Sequence, residues 1–397
     1  MQVDQTTWTH PTGWMPAPPG ALGSAADLVL LFGDAALLKD HSLLDPIRSA
    51  HPHAHFLGCS TAGEISGTHV LDQSLVATTV RFDHTHVAGA CITVEDGKEH
   101  SFSAGAELAR KLDPDGLVHV LVLSDGLHVN GTDLVRGLTS ELPDGVTTTG
   151  GLSGDGPRFE ETVVLWDDVV DRRTIAVLGL YGSHLRIGYG SLGGWDPFGP
   201  ERLITRSEGN VLYELDGHSA LQLYKRYLGE HASGLPATGL LFPLSLRTNE
   251  GDSGVVRTIL SVSEIDQSLT FAGDVPVGSY ARLMKANFDR LIDGAIGAAR
   301  TSYQALGSSS PDLAILISCV GRKLVLKQRV EEEVEGVREI LGARTVLAGF
   351  YSYGEISPFT PHASCELHNQ TMTITTFSEQ VSEQVLEQIP KQVSEQP

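Results

Sequence analysis

The chain has 397 residues, with 28 Lys and Arg against 49 Asp and Glu, for a formal net charge of −21. That length accommodates two or three domains or one duplicated one, and an apolar share of 41% supports a sizeable core. The acidic balance, with no basic patch to offset it, argues against nucleic acid as a partner. No apolar run reaches the ~18 residues of a membrane span, and the N-terminus has neither a basic nor an apolar signal region. Cys59, Cys91, Cys319 and Cys365 stand far apart with no Cys-x-x-Cys pair. The expectation is a cytoplasmic protein with reduced thiols and no local zinc knuckle.

In chain order, residues 1–24 are rich in Pro, Gly and Thr around Trp8 and Trp14, and read as an irregular N-terminal arm. A first unit follows: an apolar strand at 28–32, a helix near 36–49 and a short β-type run at 55–57. Next come Gly58-Cys59-Ser60-Thr61-Ala62-Gly63-Glu64-Ile65-Ser66 and alternating β sequence at 75–82. After a strand at 87–94 and a helix at 103–112, a second unit repeats the order. Its strand is 118–123 and its helix 132–141. The run 147–149 then leads into Gly150-Gly151-Leu152-Ser153-Gly154-Asp155-Gly156, with β sequence at 162–170 and 173–181.

A composition shift at 193–200, rich in Gly and Pro, marks the boundary between halves and a candidate hinge. Beyond it lie a strand at 202–207 and a helical stretch at 209–227, interrupted at Asp216-Gly217-His218 and capped by Ser219. Strands near 240–246 and 255–262 and a helix over 280–306 follow. The third unit has a strand at 313–318, a helix near 325–341 and the run 345–348. It continues with Gly349-Phe350-Tyr351-Ser352-Tyr353-Gly354-Glu355-Ile356-Ser357 and β sequence at 366–377. The Gln- and Glu-rich tail 378–397 carries Val381, Val385, Ile389 and Val393 at helical spacing, broken by Pro390.

Internal repetition of this kind records duplication. The predicted fold is α/β (α+β): duplicated strand-helix-strand units in mixed sheets flanked by helices, in two pseudo-equivalent halves. The domain reading is an arm at 1–24, one domain at 25–192, a linker at 193–206, a second domain at 207–377 and the tail.

Small residues just past a strand end offer backbone N–H groups to a ligand. The candidate ligand-binding set is therefore Cys59, Ser60, Thr61, Ala62, Gly63, Glu64, Gly151, Ser153, Gly154, Asp155, Tyr351, Tyr353, Gly354 and Glu355. Arg322, after Cys319-Val320-Gly321, joins it as a clamp for a ligand carboxylate, with a salt bridge to Glu355 or another acid as the rival reading. Glu64 or Glu355 would take the ammonium of an amino acid, or serve as a structural pair. Cys59 or Ser60 as a nucleophile would need a base and an orienting group that the sequence does not identify. His51, His53 and His55, like His84 and His86, alternate and read as surface features. No metal site is expected.

The motifs at 58–66, 150–156 and 349–357, with Cys319-Val320-Gly321-Arg322, Leu367-His368-Asn369-Gln370-Thr371 and the stretch 209–217, together resemble the FIST family. The resemblance covers roughly residues 24–377. It implies a FIST N-terminal and a FIST C-terminal domain and an intracellular sensor of small ligands, with amino acids suggested. No kinase, cyclase or methyl-accepting segment is attached, so output would pass to a partner protein, and an oligomer is compatible with this. Related members bind haem, sense nitric oxide and report to histidine kinases. On that reading His368 is the candidate haem ligand. The third reading is an enzyme using Cys59 or Ser60.

Overall fold

Three strand pairs, buried over most of their length, carry the three motif copies. They are Leu28–Gly33 with His55–Ser60, Leu117–Ser124 with Thr147–Leu152, and Leu313–Cys319 with Val346–Ser352, all parallel. Parallel pairs need both faces covered, and Leu28–Gly33 and Leu313–Cys319 are buried at every residue. The computed structural model describes residues 1–94, 100–248, 254–307, 309–359 and 363–380. The stripe Val381, Val385, Ile389 and Val393 lies outside them.

The crossovers are helical: Ala35–Leu38 and His41–Ala50, then Gly131–Glu141, then Val320–Leu326 and Val330–Leu341. Asp34, Asp40 and Asn130 cap their helices by accepting backbone N–H groups. A closing strand lies antiparallel to the first strand of each unit: Ser74–Arg81, Thr174–Tyr181 and Met372–Glu379. The repeated strand-helix-strand-motif order is therefore present three times.

Each unit also lends a strand to the next sheet. Glu64–Ser66 of unit one pairs with Val346–Ser352 of unit three. Gly354–Pro358 of unit three pairs with Thr147–Leu152 of unit two, and Val164–Trp166 of unit two with His55–Ser60 of unit one. The exchange closes a ring of three mixed sheets. A second exchange runs around it: Gln2–Thr9 pairs with Ser74–Arg81, His86–Thr93 with Thr174–Tyr181, and Leu185–Leu192 with Met372–Glu379. Inside the ring the three units share one core, in which Leu30, Leu57, Leu123, Val164 and Ile317 surround the Phe32–Phe350 ring pair at 4.8 Å.

Three expectations are corrected. Residues 1–24 are not irregular throughout. Thr and Val favour a pleated edge, so Gln2–Thr9 is an eight-residue strand that turns into Gly13–Met15. Trp8 and Trp14 pack on the cluster of Leu38, Leu44 and Ile47. The proposed linker 193–206 enters a long strand, Asp196–Glu208. Its start is pinned rather than hinged: Gly193 O accepts from Arg322 Nη1 at 2.6 Å and Trp195 Nε1 donates to Gln370 O at 2.8 Å. The helices read over 209–227 and 280–306 begin as strands, Val211–Leu215 and Tyr280–Lys285, before Ala220–Leu228 and Phe288–Ala305. Ser219 caps the former as expected, accepting from Gln222 N.

Those strands belong to an eight-stranded sheet inserted between Leu185–Leu192 and Phe288–Ala305, with its own core around Leu212, Tyr224 and Phe271. Its edge strand Val255–Arg257 lies against Cys365–His368, the edge strand of the unit-two sheet.

Candidate functional site

The three motif copies meet at one end of the ring, and their anchor glycines share a cause. A Cβ on Gly58, Gly150 or Gly349 would overlap a carbonyl oxygen of the parallel neighbour, that of Leu31, Val122 or Leu316. Two residues beyond each anchor stands an acceptor, and four beyond stands a donor. Ala62 N donates to Tyr351 O at 2.8 Å, Gly154 N to Ser60 O at 2.9 Å, and Tyr353 N to Leu152 O at 3.2 Å. The result is a closed triangle of backbone hydrogen bonds around the ring axis. The groups expected to face a ligand face one another, because buried backbone donors must find acceptors. Gly151 and Gly354 are ladder residues, opposite Glu355 and Leu152 respectively.

The motif carboxylates follow the same logic. Glu64 accepts from Thr61 Oγ1, from Ser74 Oγ at 2.7 Å and from Ser74 N at 3.3 Å. Glu355 accepts from Ser352 Oγ at 2.6 Å, Thr371 Oγ1 at 3.0 Å and Thr371 N at 3.2 Å. Burial raises Glu64 to about 7 and Glu355 to about 8 against the pull of these bonds. Asp155 accepts the N–H groups of Phe159, Glu160 and Glu161 and the Tyr353 hydroxyl, while the Tyr353 ring stacks on Phe159 at 4.4 Å. Lys323 lies beside Gly63, donating to Ala62 O at 2.9 Å and pairing with Asp72. One motif polar atom, Ser153 Oγ, is buried with no partner among the described residues.

Arg322, expected to clamp a ligand, is fully buried and taken. It pairs with Glu333 at 2.8 and 3.1 Å and donates to Gly193 O and Leu291 O, while Glu333 also accepts from Tyr351 OH at 2.6 Å. The rival salt-bridge reading describes it, with Glu333 as the acid. Burial pushes the Cys59 thiol well up, and Ser60 Oγ accepts from Val163 N at 2.9 Å. His368 is buried, shares a hydrogen bond between Nε2 and Ser357 O at 2.9 Å, and packs on Phe359; desolvation lowers it to about 4. His51 is buried too, against the surface reading, with Nδ1 2.8 Å from Gly23 O.

A cavity of about 770 Å³ opens beside this assembly, between helix Gly131–Glu141, the inserted sheet and strand Cys365–His368. Arg257, Asp274, Glu366 and His368 are in its wall. Arg257 is buried, yet both of its hydrogen bonds go to backbone carbonyls: Nε to Asp274 O at 3.2 Å and Nη1 to Leu367 O at 2.8 Å. Its Nη2 has no hydrogen bond and the guanidinium no ion pair among the described residues. Desolvation lowers its pKa to about 10, with the charges of Glu366 and Asp274 opposing. A buried cation with an unfilled donor is an anion site in waiting. In the sequence Arg257 is marked only as a lone arginine closing the apolar run Val255-Val256.

The segment Leu367–Thr371 joins cavity to triangle. Leu367 O holds Arg257, Asn369 bridges Thr258 N and Tyr353 O, Gln370 Nε2 donates to Leu240 O and Thr258 Oγ1, and Thr371 holds Glu355.

The FIST N domain model matches residues 27–218 and the FIST C domain model residues 220–358. An uncharacterized protein of Methanocaldococcus jannaschii is 24% identical over 334 residues, covering 77% of this chain and 62% of that protein's length. An uncharacterized protein of Mycobacterium tuberculosis is 23% identical over 381 residues, covering 89% and 92%. Among solved structures, a cyanuric acid hydrolase from A. caulinodans aligns at a TM-score of 0.41 and 8% identity, over 96% of this chain and 99% of that one. A chorismatase aligns at 0.34 and 8%, over 95% and 98%. No helix of the described residues is long and apolar enough to cross a membrane.

Proposed function

This chain belongs to the FIST family of sensory, small-ligand-binding domains, and we propose that it binds an amino-acid-like or other small carboxylate at Arg257 and signals through a partner protein. One observation carries this reading: Arg257 is a buried guanidinium whose Nη2 makes no hydrogen bond and which forms no ion pair among the described residues, in the wall of a ligand-sized cavity. A carboxylate there would form the charge-assisted bonds the site lacks, and Asp274 and Glu366 give it an acidic flank for an ammonium. The ligand would act through the buried segment Leu367–Thr371, which touches both the ligand site and the motif triangle. A ligand shifts such an element only by its difference in affinity for two arrangements.

A sensor rather than an enzyme is supported by the state of the candidate nucleophiles. Cys59 is buried and held as a thiol, and Ser60 Oγ is engaged by Val163 N. Haem through His368 does not fit this site. Its Nε2 is bonded to Ser357 O and its ring is packed against Phe359, so the reading runs through a carboxylate ligand instead.

The test is thermal denaturation with the twenty amino acids and simple carboxylates, because a ligand selective for the folded state raises Tm by mass action. A shift that disappears in Arg257→Gln supports the site. Shifts that are equal in wild type and variant would remove Arg257 from the binding reaction.

A further inference from the structure

We infer, building on the reading that the Arg257 cavity is the ligand site, that it takes a short peptide in extended form with its free C-terminal carboxylate on Arg257. Four observations point there. The first is volume: about 770 Å³ is room for a drug-sized ligand, well beyond a single amino acid. The second is a further chamber of about 410 Å³ that shares Thr139, Ala363, Ser364 and Cys365 with the first. The space is therefore elongated, running along helix Gly131–Glu141.

The third is the character of the walls. Val255–Arg257 and Cys365–His368 are both terminal strands of their sheets, each paired on one side only among the described residues. An unpaired strand edge presents a row of N–H and C=O groups, the surface on which extended peptides add as a further strand. The bond from Arg257 to Leu367 O fixes which groups are turned out: Leu367 directs its carbonyl away from Gly354–Pro358. Strand alternation turns Cys365 the same way. Backbone recognition of this kind suits a peptide and offers little to a free amino acid, which has no chain to lay along the edge.

The fourth fixes the polarity. The Arg257–Leu367 bond bridges the two edges. A chain lying along the edge toward it would end there, with its terminal carboxylate against the unfilled Nη2. The other end would lie in the second chamber, beside the half-buried Thr147 and Tyr189.

The experiment is native mass spectrometry of the full chain with an equimolar random tripeptide library, as free acids and as C-terminal amides, beside the twenty amino acids. The expected result is retention of free-acid tripeptides, with amides and single amino acids weaker by about tenfold or more. Arg257→Gln should abolish retention. Thr139→Phe, which narrows the passage between the chambers away from Arg257, should release tripeptides while sparing single amino acids. A folded melting profile is the control for both variants. Single amino acids held as tightly as tripeptides, with Arg257→Gln losing them, would overturn the peptide inference and leave the carboxylate site standing. Amides held as well as acids would overturn the polarity and with it the inference. No retention of any tripeptide by the wild type would end it outright.

Discussion

The motif triangle and the Arg257 cavity are built from similar parts, strand ends, small residues and buried charges, yet they differ in what is left over. At the triangle three equivalent donors meet three equivalent acceptors, and Glu64, Glu355 and Arg322 are each matched by at least three internal bonds. At the cavity Arg257 keeps an unfilled donor and forms no ion pair among the described residues. Repetition in the sequence marked the part that holds the ring together. The residue best placed to meet a ligand stands alone and repeats nowhere.

If that contrast is right, damage at the triangle costs stability and damage at the cavity costs binding. The largest effect belongs to Arg322→Ala, which strands Glu333 and two carbonyls in a dry interior; unfolding by denaturant should show a loss of about 3–5 kcal/mol. Pairing Arg322→Met with Glu333→Leu should recover much of it, since a buried ion pair contributes little net stability over a well-packed apolar pair. A double variant as unstable as the single one would mean the network is needed for the ring itself.

Next come the anchors. Gly349→Ala and Gly150→Ala should each lose about 1–3 kcal/mol through overlap with a neighbouring carbonyl. Gly307→Ala has open space and φ of 71°, so it should lose only about 1 kcal/mol from backbone strain. Equal losses at all three would refute the close-approach explanation.

The pH dependence separates buried groups by sign. Glu64 and Glu355 are raised in the folded state to about 7 and 8 from an ordinary 4.5, so their contribution is full below the ordinary value and is lost as pH rises through 7 and 8. His119 and His368 are lowered by burial to about 3 and 4, so theirs is present above 6.5 and lost as pH falls toward those values. Between about pH 4.5 and 6.5 the two trends oppose each other, so Tm should fall above about pH 6.5 and below about pH 4.5. Glu355→Gln should flatten the alkaline limb and leave the fall below about pH 4.5 unchanged; an unaltered alkaline limb would assign the decline to other groups.

Arg257→Gln should change stability by no more than about 1 kcal/mol, since glutamine can still donate to a flanking carbonyl. Its binding loss would then stand out against a nearly normal melting curve. A large destabilisation would instead make Arg257 a structural brace and blur the contrast. A comparably small effect, about 1 kcal/mol, is that of Tyr353→Phe, which removes the hydroxyl shared by the Asp155 carboxylate, Asp155 N and Gly156 O and leaves three backbone N–H groups on that carboxylate.

By itself the sequence determined the repeat, its strand-helix-strand order, the mixed α/β class and the family. All of these are written in local periodicity and in short runs such as Gly-Glu-Ile-Ser, which need no knowledge of distant partners. It also pointed to Ser219 as a cap. It did not determine what the motif residues would touch. Gly154 and Ser60 are neighbours only because Glu64–Ser66, Val164–Trp166 and Gly354–Pro358 each cross to another unit's sheet. Pairing between sheets leaves no trace in the spacing of either partner. The same holds for Arg322, whose rival acids could not be ranked until helix Val330–Leu341 brought Glu333 to it, and for residues 2–9, whose strand forms only against Ser74–Arg81. Arg257 was least legible of all. What sets it apart is an unfilled donor, and only the tertiary structure, by fixing its neighbours among the described residues, decides that.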